Sequence, residues 1–367
     1  MIKDGIKDIE LSIRKISEKA AEKDDCIRLD IGQPSFDTPE HVKQAAVNSL
    51  QDKQGYTSTK GIEELREQIS EEESDKIGIS DIGPENVMVT TGGMEAIFAL
   101  FSGRLGSDDK ILLNDPCWGP YKLISAVNGN NFVQERFFDS DGKLNEGIED
   151  MMEDSEIIVV NTPSNPEGRV LSKEQAKEIA ELADEKDTFL VSDEVYHRLT
   201  FDTAHYSPAA YSENSAIIGS TSKNHGMTGW RIGWLVADEE DIDHYAKISR
   251  AMTAAPNKLG QMAAVEALKN DNHVADMRES YQERREYTVK RMKDLDWDFR
   301  APEGAIYAFP DVEEDSWDFC MRMIDNGVAM VPGEPFGPES DQNVRICFGA
   351  VEKQDLEKAF DRIEENI

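Results

Sequence analysis

Short apolar runs of β type alternate with helix-type segments through the first two thirds of this chain, and no other feature limits its fold so strongly. Asn86–Thr91 ("NVMVTT") precedes the amphipathic "GMEAIFALFSGRL". "KILLNDP" precedes "WGPYKLISAVN", and "SEIIVVNTP" precedes "SKEQAKEIAELADEK". "DTFLVSDEVY", "NSAIIGSTSK" and "RIGWLVA" supply three more buried-strand candidates. The rhythm predicts an α/β fold, with a mostly parallel or mixed sheet covered by helices on both faces. Ser172, with Gln175 three residues later, predicts a capping box at one helix start. After about Ala237 the pattern changes. Long helical stretches are expected near Pro256–Asn270 and His273–Leu295, then short strands, then a last helix from Glu352. These read as a second, α+β unit.

In an open α/β sheet, ligands bind at the carboxyl ends of the strands. Polar clusters fall at four such ends: "TTGGMEA", "NTPSNPEG", "SDEVYHR" and "GSTSK". Singly, each is an ordinary turn or helix cap. Their order along one chain predicts a shared crevice.

The last cluster stands out because of what surrounds it. Asn214–Ala237 contains no Asp or Glu, although 74 of the 367 residues are acidic. A carboxylate near Lys223 would hold its amine protonated. The same clearing occurs at Pro116–Gln134 and Tyr245–Val265, and predicts that both are buried, near the site or at a subunit interface. Elsewhere the acids are spread out, and the net charge of −34 repels nucleic acid and anionic membranes. "EEES" (Glu71–Ser74), "DEED" (Asp238–Asp241) and "DVEED" (Asp311–Asp315) are expected in loops or at helix ends. An acidic surface of this kind suits a high-salt habitat, where screening removes its self-repulsion. The N-terminus lacks a signal-peptide core and no run matches a membrane span, so a cytoplasmic location is expected. Cys26, Cys117, Cys320 and Cys347 have no C-x-x-C spacing and read as free thiols. The histidines show no metal-ligand spacing, and no metal is expected.

Taken together, "DIGQPSFDTP", "NTPSNPEG", "SDEVY", "STSK" with an arginine eight residues after its lysine, and "NVRICFG" resemble the class I/II aminotransferases of pyridoxal-phosphate fold type I. That branch includes many aspartate and aromatic aminotransferases, and the resemblance covers nearly the whole chain. It implies a large domain (42–255) with a mostly parallel central sheet, and a smaller α+β domain (1–41 and 256–367) with an N-terminal arm. It implies pyridoxal 5'-phosphate as cofactor. The reaction is then a ping-pong exchange between an L-amino acid and a 2-oxo acid, through pyridoxal and pyridoxamine phosphate.

The same resemblance distributes roles. Lys223 matches the lysine that forms the Schiff base and moves the Cα proton. Asp193 matches the carboxylate on the pyridine nitrogen, and Glu194 beside it should point away. Tyr196 and Asn165 match the groups that bond the phenolic oxygen, and Trp118 the aromatic residue on the ring face. Gly93 and Met94 at a helix N-terminus, Ser220, Ser222 and Arg231 match the phosphate ligands. Tyr56 matches a tyrosine that reaches the neighbouring subunit's phosphate, which implies a homodimer with shared active sites. Gly32 and Arg345 match substrate contacts, Arg345 as a bidentate carboxylate clamp. Ile13, Ile16, Tyr56 and Trp118 would form apolar walls for an aromatic or aliphatic side chain.

Two departures touch specificity. Met94 stands where some relatives carry a basic side chain that reads an acidic substrate. Glu334 and Pro335 stand in a loop where small residues are more usual. Two other activities share the fold: a C–S or β-elimination lyase on the same cofactor, and a non-enzymatic regulator. The regulator would need an N-terminal DNA-binding domain, for which there is no room before "DIGQPSF".

Overall fold

The computed structural model describes residues 12–78 and 82–367. Among the described residues, twelve strands follow chain order: β1 (Ile27–Arg28), β2 (Val87–Thr90), β3 (Lys110–Asn114), β4 (Asn131–Glu135), β5 (Ile157–Asn161), β6 (Phe189–Asp193), β7 (Ser215–Ser220), β8 (Gly233–Val236), β9 (Tyr307–Ala308), β10 (Val328–Ala329), β11 (Val331–Pro332) and β12 (Val344–Cys347). β2 to β8 form one seven-stranded sheet in the order β2-β8-β7-β6-β5-β3-β4. Its interior strands carry continuous Ile, Val and Leu runs because helices cover both faces.

The pairings from β4 through β3, β5 and β6 to β7 are parallel, while β8 runs antiparallel to both β7 and β2. Strand order reverses at β3: β4 lies on one side of it and β5 on the other. That switch opens a crevice at the strand ends. Because β8 is antiparallel, its first residue pairs with the last of β7, Ser220 opposite Gly233. The 3-10 turn Thr228–Trp230 therefore returns Arg231 to the edge where Lys223 begins.

β1 pairs with β10, and β9, β11 and β12 form a three-stranded antiparallel sheet. β1, β9, β10 and β12 share an apolar core with Ile16, Tyr281, Phe319 and Phe360 from flanking helices, while Val331 of β11 packs with Phe309 and Phe336. The helix Lys258–Lys269 instead contributes Ala263, Ala264 and Ala267 to a core beside β2 and β8.

The capping box at Ser172 is present, with Gln175 N–H donating to Ser172 Oγ at 3.2 Å. Helices at Lys258–Lys269, Asn272–Asp294 and Lys353–Glu364 occupy the expected places. Three features differ from expectation. The helix Glu239–Thr253, capped by Asp238, fills a stretch left unassigned. Strand β4 was not anticipated, because this edge strand carries exposed Asn131 and Phe132 rather than a buried apolar run. "EEES" lies inside the helix Glu63–Ile77 rather than at an end. Glu73 there is fully buried, accepts from Trp234 Nε1 at 2.8 Å and pairs with Lys76. A buried carboxylate is tolerated because it is bonded and charge-paired.

Candidate active site

Side chains from the ends of β2, β3, β5, β6 and β7 meet residues from β12 and the 30–33 loop around one cleft of about 1110 Å3. Every catalytic, cofactor-binding and substrate-binding candidate read from the sequence lines it except Tyr56.

Asp193, the last residue of β6, is buried to 2 % exposure. Its Oδ2 accepts from the Tyr121 hydroxyl at 2.5 Å and its Oδ1 from Val195 N–H at 3.3 Å. Burial pushes its pKa up to about 6 against these two donors. Glu194 faces the other way, as expected. It accepts from Ser192, Ser207 and His205 and lies 2.9 Å from Lys76. Lys76 and His205 hold Glu194 well below the usual carboxylate range despite its burial.

Lys223 lies on the single-turn helix Thr221–Asn224, which β7 feeds directly. Its Nζ donates to the Gly32 carbonyl and sits 5.9 Å from the Tyr196 ring centre. Burial pushes the amine's pKa down to about 8, with Arg345 and Arg231 adding to the effect and Cys347 opposing it. A Cβ at Gly32 would come within 2.6 Å of the Tyr307 hydroxyl, so only glycine lets the carbonyl approach. The Tyr196 and Tyr307 hydroxyls are 2.8 Å apart, their rings edge to face.

Arg345 arrives on β12. Its Nη1 donates to Asn165 Oδ1 at 3.2 Å and its Nη2 to the Asp30 carbonyl at 2.8 Å. Its guanidinium lies 4.8 Å from the Tyr307 ring centre and 5.1 Å from that of Phe336. Its Nε is buried and has no partner among the described residues. The Asp30 carboxylate is taken up by Arg28 and Ser17, so it does not neutralise Arg345.

At the other end, Gly92 caps the helix Gly93–Arg104 with φ 80°. That positive φ favours glycine, and a Cβ there would fall 2.3 Å from Arg231 Nη2 and push the guanidinium aside. Gly93 and Met94 occupy the first turn, whose N–H groups lack helical acceptors. Ser220 Oγ and Ser222 Oγ bond each other at 2.8 Å. Arg231 is held by Thr228 and Thr91 carbonyls and has no carboxylate partner among the described residues.

These residues fit pyridoxal phosphate. A buried carboxylate without a cation suits a protonated ring nitrogen. Helix-terminal N–H groups, two hydroxyls and Arg231 suit a phosphate. Nη1 and Nη2 of Arg345 each spend one of two N–H groups on protein acceptors, which leaves donor capacity for a carboxylate. Trp118 lines the cleft with its ring edge to face on Tyr121, and Asn165 and Tyr196 stand between it and Arg345 in chain order.

Not every expected residue lines this chain's own cleft. Tyr56 is 94 % exposed and lies outside this chain's own cleft lining. Ile16 is buried in the core around β9–β12 and is no wall of the cleft. Ile13 has a side chain outside the described residues. Trp118 does line the cleft, joined by Ile31, Leu123 and Phe132. Within the acid-poor segments, 118–123 lines the cleft, but residues 250–254 are exposed in the single chain. They form the C-terminal end of a helix that runs past the core. Sequence reasoning missed Tyr121, Tyr307, Asp30 and Phe336. Tyr121 follows Trp118 by three residues at a helix start, a spacing that could have flagged it. Tyr307 carries no local signal.

The family model described as aminotransferase class I and II matches residues 24–363. A probable aspartate aminotransferase of Methanocaldococcus jannaschii is 35% identical, covering 100% of this chain and 99% of its own. A probable N-acetyl-LL-diaminopimelate aminotransferase of Bacillus subtilis is also 35% identical, covering 98% and 93%. Among solved structures, aspartate aminotransferase from Thermus thermophilus with maleate superposes with a TM-score of 0.91 at 33% identity, covering 98% of this chain and 97% of that one.

Proposed function

The chain belongs to the class I and II aminotransferases, enzymes of pyridoxal-phosphate fold type I, and on that premise we propose how its residues divide the work and which substrates they accept. The observation that carries the reading is the convergence of Lys223, Asp193 and Arg345 on one cleft from three separate segments. When bound, the cofactor supplies an aldehyde for the amino group and a ring that takes up the electron pair left at the substrate Cα.

Arg345 receives the substrate carboxylate through the second N–H of Nη1 and of Nη2, each of which spends only one on the protein. The bonds to Asn165 and Asp30 preset its plane. Lys223, with a pKa near 8, holds a useful fraction of neutral amine at neutral to mildly alkaline pH. It takes the Cα proton and returns it two bonds away, to the carbon across the nitrogen. Asp193 is mostly ionised at pH 7 and favours a protonated ring nitrogen. Asn165 and Tyr196 hold the phenolic oxygen, and Trp118 covers the ring face. Gly93, Met94, Ser220, Ser222 and Arg231 hold the phosphate, Met94 through its backbone alone.

The outer cleft is lined by Ile31, Met94, Leu123 and Phe132, which favours an aromatic or aliphatic amino donor, with 2-oxoglutarate as acceptor. Aspartate as donor is the second reading, favoured by the name of the Methanocaldococcus relative and by Lys122, a cation on the cleft wall. A panel of amino acids with 2-oxoglutarate, assayed for glutamate, separates them. Turnover of phenylalanine and leucine above that of aspartate supports the first; activity with aspartate alone replaces it by the second.

We also propose a homodimer in which Tyr56 completes the neighbour's phosphate site. Its 94 % exposure and the exposed Met252 in the acid-poor 245–265 segment support this. Domain closure is proposed between 42–255 and 1–41 with 256–367, the helix Lys258–Lys269 travelling with the first. A cytoplasmic location is supported by four free cysteines. A charge of −34 supports exclusion of nucleic acid and anionic membrane partners, together with adaptation to high salt. Among the described residues no helix is long and apolar enough to cross a membrane.

A further inference from the structure

We propose that Tyr121 is the positioning residue that sets the aim and basicity of Asp193. Tyr121 is 1 % exposed on the helix Pro120–Asn128, and its hydroxyl donates to Asp193 Oδ2 at 2.5 Å. Its ring stands edge to face against Trp118, with centres 5.4 Å apart and planes at 85°. One side chain thus touches both the residue assigned to the ring nitrogen and the residue assigned to the ring face.

The choice of a phenol has a physical reason. A carboxylate has about four lone-pair sites. This chain fills one on each oxygen, from Tyr121 and from Val195 N–H. The remaining sites stay available to the cofactor. A lysine or arginine in place of Tyr121 would neutralise Asp193 and compete with the ring nitrogen for it. A neutral donor stabilises the anion, fixes its rotamer and leaves its charge for the ring. Burial and the charge of Asp193 keep the phenol protonated, so it acts only as a donor. The other titratable groups facing the pair are Glu194 beside Asp193, and Cys117 and Tyr196 beside Tyr121.

The proposal rests on the reading of Asp193 as partner of the ring nitrogen, and the test separates the two. Tyr121→Phe keeps the ring against Trp118 and removes one oxygen. In the apoprotein labelled with 13Cγ-aspartate, with the Asp193 signal identified through Asp193→Asn, the Asp193 midpoint should rise by about one pH unit, a tenfold change in acidity. Placing 3-fluorotyrosine at 121, a stronger donor, should lower it. An unmoved midpoint in both proteins overturns the proposal. In the holoenzyme, Tyr121→Phe should lower kcat about 10–100-fold, in line with loss of one bond to a charged group, with little change in KM. With a cofactor analogue carrying carbon in place of the ring nitrogen, the same substitution should cost nothing further. An equal loss with the analogue means a merely structural role and sinks the inference. Parental turnover in Asp193→Asn would instead sink the underlying reading.

Discussion

Nη1 of Arg345 donates to Oδ1 of Asn165 at 3.2 Å, across 180 residues of sequence. The bond joins β12 of the small antiparallel sheet to the loop after β5 of the central sheet. Arg345 is held from both sides before any substrate arrives, so little reorganisation is required when a carboxylate binds. Arg345→Lys keeps the charge but loses the planar fork. KM for amino acid substrates should rise about 30–100-fold, the loss of a charge-assisted bond of about 2–3 kcal/mol. Steady-state kinetics on an amino acid and on the matching amine without a carboxylate check this, because the amine should show no such change.

Lys223→Met should lower turnover by about three orders of magnitude or more, since one amine serves as anchor and proton carrier. Folding lowers its pKa from 10.5 to about 8, so the unfolded chain binds more protons between those values. The amine therefore destabilises the apoprotein fully below pH 8 and progressively less as pH rises toward 10.5. Thermal melts of the apoprotein should show Lys223→Met more stable than the parent at pH 7, with the advantage gone near pH 10.5.

Asp193 has the opposite window. Folding raises its pKa from 3.8 to about 6, so the folded chain binds more protons in that interval. Stability declines as pH rises through it, and the penalty is complete above pH 6. Asp193→Asn should stabilise the apoprotein at pH 7.5 by on the order of 2–3 kcal/mol and have no such effect at pH 3.5, while turnover falls. Denaturant titrations at the two pH values measure it. Here the site trades stability for function.

Mixing two inactive variants tests the shared site. If Tyr56 serves the neighbour, a hybrid of Lys223→Ala and Tyr56→Phe subunits contains one intact site. Co-refolded equal mixtures should regain up to about one quarter of parental activity, because half the dimers are hybrids and each has one of two sites intact. A mixture no more active than the sum of its parts excludes the exchange.

The charge of −34 predicts salt-dependent stability. Raising potassium chloride from about 0.1 M, where the Debye length is ~10 Å, to about 1 M, where it is ~3 Å, screens self-repulsion. The melting temperature should rise across that range. A flat or falling curve would separate the acidity from salt adaptation.

The sequence by itself determined the interior strands of the central sheet, because a strand buried on both faces must be written as a continuous apolar run. It also determined which residues stand at or just past their carboxyl ends, and Met94, Asn165, Asp193, Ser220 and Lys223 line the cleft for that reason. Only tertiary structure decided the partners. Tyr121 reaches Asp193 across 72 residues, Tyr307 meets Tyr196 across 111, and Arg345 meets the Asp30 carbonyl across 315. No local pattern encodes such pairs, since strand and helix periodicity report which face is buried and not what lies opposite. Glu73 shows the same limit. Read locally it is one acid in a solvated run; in the fold, Lys76 and Trp234 make its burial tolerable.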